Sequence, residues 1–186
     1  MTDREPTATS DDVRWLSDAE QCAWRAFLDM QARLNARINR DLLDSSGLSS
    51  ADFAVLVQLS EHPDGRERVL ELARRLQWEK SRLSHQLTRM QQRGLVERAQ
   101  CDADRRGAWI VLTPGGRAAV ETAAPAHVAT VRRYLFDALS PEQVATLDAI
   151  ARGTVERLDG DARDDDCDTA DSSDAGCPSD TAEPGR

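Results

Sequence analysis

Residues 80–93 carry the side chains best suited to meeting an anion. Leu83, Leu87 and Met90 recur at i, i+4 and i+7 and mark one apolar face of a helix. The rest of the segment is Lys80, Ser81, Arg82, Ser84, His85, Gln86, Thr88, Arg89, Gln91, Gln92 and Arg93, with no acid among them. On a helical wheel Ser81, His85, Thr88 and Arg89 point away from Leu83 and Leu87, and Arg82 and Ser84 flank them. Arg can grip guanine in bidentate fashion, and Ser or Thr can bond base edges or phosphates. The candidate DNA-contacting set on this helix is therefore Lys80, Ser81, Arg82, Ser84, His85, Thr88 and Arg89. A merely solvated amphipathic helix would show the same wheel; the missing acids and the neighbouring elements favour the DNA reading.

A second candidate lies at Asp104-Arg105-Arg106, between two short β-type runs. A cation on a projecting ribbon can follow the phosphates or enter a narrow minor groove, and Asp104 can fix a neighbouring rotamer. Taken alone, such a tip reads as a solvated turn.

Other chemistries find little support. Cys22, Cys101, Cys167 and Cys177 form no CxxC pair, and His62, His85 and His127 are scattered, so neither a structural zinc nor any other cofactor is expected. No glycine-rich phosphate loop or nucleophile elbow occurs, and the chain does not read as an enzyme. Residues 1–20 lack the cationic start and apolar stretch of an export signal. The longest aliphatic run, Phe53 to Val57, is far short of the ~20 residues that cross a bilayer. The expectation is a cytoplasmic protein with reduced thiols and no membrane partner.

The elements that must position these residues are mostly helical. Aromatic residues make up only 4% of the chain and β-branched ones are scarce, which favours helix over sheet. Ser17 to Glu20 reads as a capping box opening a helix towards Leu43, with Ala23, Phe27, Met30, Leu34 and Ile38 at helical spacing. Ser49 to Asp52 caps a second helix, closed by His62-Pro63-Asp64-Gly65. A short helix at about 69–76, a turn at Gln77-Trp78-Glu79 and the helix 80–92 follow. Leu95 to Ala99 and Ala108 to Leu112 read as two strands of a hairpin. Thr113-Pro114 opens a long helix that Pro125 is expected to kink or split. Ser140 to Gln143 caps a last helix with Val144, Leu147, Ala151, Thr154 and Leu158 on one face.

The net charge of −9 is unevenly spread. Residues 159–186 hold ten acids against two bases, leaving −1 for residues 1–158, and residues 45–113 stand at +2. A negative total therefore does not bar DNA from the middle of the chain. Residues 1–14 and the Asp-rich 159–186 are expected to be disordered.

The order helix, short helix, turn, helix, strand, wing, strand is that of a winged helix-turn-helix. Three stretches resemble the MarR family of regulators: Gly47-Leu48-Ser49-Ser50-Ala51-Asp52-Phe53-Ala54-Val55-Leu56; Val69 to Leu76 continuing through Ser81-Arg82-Leu83-Ser84; and Arg89-Met90-Gln91-Gln92-Arg93-Gly94-Leu95-Val96-Glu97-Arg98. In the third, Asp104-Arg105-Arg106 and Leu112-Thr113-Pro114-Gly115-Gly116-Arg117 follow, and this is the most specific part. The resemblance spans about residues 16–158. It implies a mostly α fold with a small β-hairpin wing, a winged helix-turn-helix at about 48–113, and dimerisation helices at about 17–44 and 114–158. It further implies a homodimer on double-stranded DNA at a pseudo-palindromic operator, often a repressor released by a small-molecule effector.

Two alternatives stand beside it. One is a winged-helix protein-interaction module without DNA binding, whose mark would be acids on helix 80–92 or a shortened wing. The other is a thiol-based redox sensor through Cys22. Related sensors support their cysteine with tyrosines, whereas this chain has only Tyr134, so Cys22 reads first as a buried structural thiol.

Overall fold

The computed structural model describes residues 13–100 and 108–170, with side chains for 13–99 and 108–160. Two compact units divide between Leu135 and Phe136.

In the first unit, α1 (Asp18–Ser46) opens on the Ser17–Glu20 capping box and ends at Gly47, whose φ of 67° is the left-handed turn a glycine adopts without strain. Helix α2 (Ser50–Glu61) opens on the reciprocal Ser49–Asp52 box. Strand β1 (Arg66–Arg68) leads into α3 (Val69–Leu76), and α4 (Lys80–Gln92) follows. The wing is β2 (Val96–Gln100) and β3 (Ala108–Leu112), and α5 (Pro114–Tyr134) completes the unit. The core joins Leu42 and Leu48, the inner face of α2, Leu72 and Ala73, then Leu83, Leu87 and Met90 of α4, and Val96, Ile110, Val120 and Ala123. Burying each of the α4 aliphatics is worth about 1.5–3 kcal/mol, so that helix is fixed firmly by its inner side.

The sheet holds three antiparallel strands in the order β1-β3-β2, where the sequence shows only two. Arg66 to Arg68 pair with Val111 to Trp109. Three polar residues with one buried side chain, Glu67, carry no alternating apolar signal. Helix α5 is not split at Pro125, and runs through it as one element. One missing hydrogen bond is outweighed by its packing: Val120 and Ala123 are buried, and the Thr130 hydroxyl donates to Asp41 on α1 at 2.7 Å.

The N-terminal half of α1 does not join this core. Trp24, Phe27, Leu28 and Met30 are all exposed, and Trp24 stacks on Phe27 at 5.8 Å. Of the expected stripe, only Leu34 and Ile38 are half-buried.

The second unit is a 3-10 turn (Phe136–Ala138) and α6 (Pro141–Ala170), with the Ser140 N–H donating to Gln143 Oε1 at 2.8 Å in the expected cap. Helix α6 continues to Ala170, past Asp159, where the sequence suggests a disordered tail. A helix already nucleated gains a hydrogen bond with each added residue, and this stretch holds no proline. Ile150, Val155 and Leu158 are exposed within this unit.

Candidate nucleic-acid interface

The turn between α3 and α4 sets the site. Gln77 adopts φ 53°, the one non-glycine residue with positive φ among those described. Its N–H donates to Arg74 O at 3.1 Å, and the Trp78 N–H donates to Ala73 O at 2.9 Å. These bonds close α3 and turn the chain sharply enough for α4 to start at Lys80.

Helix α4 then presents the expected face. Lys80, Ser81, Arg82, His85, Thr88 and Arg89 are exposed, and Ser84 is half-buried. The Thr88 hydroxyl donates to Ser84 O at 2.9 Å, bonding back along the helix rather than outward. Arg82 is held by a ring the sequence reading passed over: its guanidinium carbon lies 4.4 Å from the centre of the Trp78 ring. Arg98 on β2 reaches across to the Ser84 hydroxyl at 3.4 Å, adding a cation from the wing beside the helix.

Gln86 departs from the sequence reading, which placed it on the polar surface; it is buried, 4% exposed. It occupies the i+3 position of the Leu83, Leu87, Met90 face, the fourth position of a core-facing stripe. Its partner is Asp52, 3% exposed. Gln86 Nε2 donates to Asp52 Oδ1 at 2.6 Å, and Arg93 Nη1 donates to Oδ2 at 2.7 Å. The Ser49 N–H and hydroxyl reach Oδ2 at 2.9 and 2.8 Å. Arg93 also donates to Gly47 O at 2.8 Å, tying the end of α4 to the end of α1. Burial works to raise the Asp52 pKa, but the Ser49 and Arg93 hydrogen bonds and the Arg93 charge together hold it below the ordinary value. From sequence, Asp52 was legible only as a capping residue.

The wing joins α4 through Gly94, at φ 69°, and returns to α5 through Thr113, whose hydroxyl donates to Gly94 O at 2.6 Å. Cations cluster at the other edge of the sheet too. Arg66 and Arg68 lie 5.1 and 5.4 Å from the Trp109 ring centre, one residue apart on β1. Asp104, Arg105 and Arg106 lie outside the described residues.

Cys22 is exposed rather than buried, because it sits on the unpacked half of α1. Tyr134, the one tyrosine, has its ring engaged by Arg37 and Arg133. Among the described residues no group of His, Cys, Asp or Glu is placed to hold a metal, and no helix is long and apolar enough to cross a membrane.

Known proteins share this arrangement. The MarR family model matches residues 48–107, from the start of α2 into the wing. AbsC, a MarR family transcriptional regulator from Streptomyces coelicolor, is 44% identical, with a TM-score of 0.75 over 80% of this chain and 99% of that one. Sco3205, a MarR family transcriptional regulator from the same organism solved in complex with DNA, is 37% identical, with a TM-score of 0.76 over 80% of this chain and 93% of that one. Bordetella bronchiseptica BpsR is similar in fold, at 22% identity and a TM-score of 0.64 over 72% of this chain and 98% of that one. None of the curated proteins compared matches the chain. AbsC and Sco3205 are transcriptional regulators rather than enzymes, and with 44% identity spanning almost all of AbsC the chain belongs to the MarR family of DNA-binding transcriptional regulators.

Proposed function

We propose that the chain acts as a homodimer that binds a pseudo-palindromic operator in double-stranded DNA, represses the gene it controls, and lets go when a small-molecule effector binds. The observation that carries the DNA arm is the outer face of α4. Six of the seven candidate side chains stand exposed on a helix whose inner side is locked in the core, with no acid in the helix. In this reading α4 enters the major groove, and Lys80, Ser81, Arg82, Ser84, His85, Thr88 and Arg89 meet bases and phosphates. Asp104, Arg105 and Arg106 follow the adjacent minor groove. The likeness to Sco3205, a protein solved with DNA, supports the same use of the surface here.

Dimerisation is supported by the apolar side chains left uncovered on α1, chiefly Trp24, Phe27, Leu28 and Met30, and by Ile150, Val155 and Leu158 on α6. Large apolar side chains grouped on one element mark an association surface. A dimer would place two α4 helices about one DNA turn apart, ~34–36 Å. Repression and effector release are carried over from the family. An effector shifts the equilibrium only by its differential affinity for the DNA-competent and DNA-incompetent forms.

The test is a duplex selected from a randomised pool, titrated by fluorescence anisotropy against scrambled duplex at two salt concentrations. Tight, salt-dependent preference for the selected duplex is expected, and Arg82→Ala and His85→Ala should each weaken it while the dimer stays folded. Unchanged affinity in both variants would remove α4 as the reading face. No binding at low salt would turn the reading to a protein-interaction module.

A further inference from the structure

The inner face of α4 carries a hydrogen-bond chain with a fixed direction. Asp52 Oδ1 accepts from Gln86 Nε2, and Gln86 Oε1 accepts from Arg89 Nη2. A carboxylate has no hydrogen to give and a guanidinium no lone pair to offer, so each end of the chain demands the same orientation of the amide between them. Gln86 cannot flip without setting its NH2 group against Arg89 and its oxygen against Asp52. The carboxylate itself is held from its other side by Ser49 and Arg93, so it cannot turn to release Gln86.

We propose that Asp52, through Gln86, is a positioning residue for Arg89, setting the guanidinium that α4 offers to a base edge. This rests on the DNA-binding reading above and adds a source of specificity to it. Asp52 lies beneath α4 and is almost fully covered, so it touches no DNA. It acts by fixing one N–H of Arg89 and leaving the others to point outward. An arginine held in one rotamer loses less freedom when it forms a bidentate pair with guanine than one that swings freely. That benefit is largest at the right base, so the relay sharpens discrimination more than it raises affinity for any duplex.

The test compares the ratio of selected-duplex to scrambled-duplex affinity in the full-length protein. Gln86→Met keeps an unbranched side chain of similar length in the buried slot and cuts the relay. It is expected to lower the ratio about tenfold, mostly through the selected duplex. Arg89→Ala lowers the ratio as well, and adding Gln86→Met to Arg89→Ala should change it less than twofold. Asp52→Asn, of nearly the same shape, sets an NH2 group against a donor in either orientation and should behave like Gln86→Met. Thermal unfolding of each variant confirms that the compared proteins are folded.

Multiplying effects of Gln86→Met and Arg89→Ala would overturn the relay, since independent residues multiply. So would an unchanged ratio in folded Gln86→Met and Asp52→Asn while Arg89→Ala loses discrimination; the DNA-binding reading would then survive alone. A wild-type protein that does not discriminate at all would end both.

Discussion

The guanidinium of Arg82 sits over Trp78 with its central carbon 4.4 Å from the ring centre, linking the turn before α4 to an exposed cation of the helix's outer face. Trp78 is half-buried and packs against the core, so its ring is a fixed platform. An exposed cation–π contact is worth about 0.5–1 kcal/mol, and here it also limits where Arg82 can point. Trp78→Leu should weaken binding to the selected duplex about two- to fivefold with the fold retained, as read by anisotropy and circular dichroism. Arg82→Lys should lose more, because an ammonium neither stacks nor forks. Full affinity in folded Trp78→Leu would show that the stack has no part in binding.

A second prediction concerns the junction of wing and α5. A Cβ built on Gly116 would run into the carbonyl oxygen of Leu95 and press on Leu112 Cδ1, both fixed parts of the wing root. The Gly116 N–H is also bound to the Thr113 cap at 2.9 Å, so the residue cannot withdraw. Gly116→Ala should destabilise the protein by about 2 kcal/mol or more, a size typical of overpacking at a closed site. Urea unfolding reads it. Gly115→Ala, one residue away with only a 3.3 Å approach to Gly94 O, should cost clearly less.

These junctions show which parts of the molecule were legible in the sequence. Ser17, Ser49 and Thr113 declare helix starts because the capping chemistry is local: the side chain and the N–H it serves are three residues apart. Leu83, Leu87 and Met90 likewise fix which side of α4 faces in. Gln86 escaped because polarity says surface, and only the distant Asp52 makes its burial favourable. Strand β1 escaped because its pairing with β3 is non-local and its residues are polar. Trp78 sits in a turn, where no periodicity assigns it a neighbour. For α1 the apolar spacing is plain in the sequence, but it does not tell that Phe27 and Met30 stay exposed.

The third prediction follows from the carboxylate under α4. The pKa of Asp52 is opposed by burial yet held below its ordinary 3.8 by the Ser49 and Arg93 bonds. The folded protein therefore favours the ionised form more than the unfolded chain does. Its contribution to stability is fully present above about pH 4 and is lost as pH falls through the lower, folded value. Asp52→Asn should cost about 1–3 kcal/mol at neutral pH, the range for hydrogen bonds to a charged group. The gap between wild type and variant should narrow as pH is lowered from about 5 towards 2.5. A gap that stayed constant across that window would mean that the Asp52 charge contributes nothing to folding.

The fourth prediction concerns His127 on α5, which packs its ring 4.7 Å from that of Phe53 on α2. Its Nδ1 is buried with no hydrogen-bond partner, and burial lowers its pKa from the ordinary 6.5 by disfavouring the charged ring. Above that value both folded and unfolded chains hold a neutral imidazole, and the group is silent. As pH falls below it, the unfolded chain takes up a proton that the folded chain resists, so stability declines until the folded group titrates as well. His127→Leu removes the titration while keeping an apolar side chain against Phe53. Wild type should lose more thermal stability than His127→Leu between pH 7.5 and 5.5. For a chain of this size each kcal/mol is worth roughly 2–4 °C in Tm, which thermal unfolding resolves easily. Because Phe53 and His127 join α2 to α5, the same acid shift should loosen the packing of α5 on the helix that carries Asp52. Equal pH dependence in the two proteins would place the acid sensitivity elsewhere.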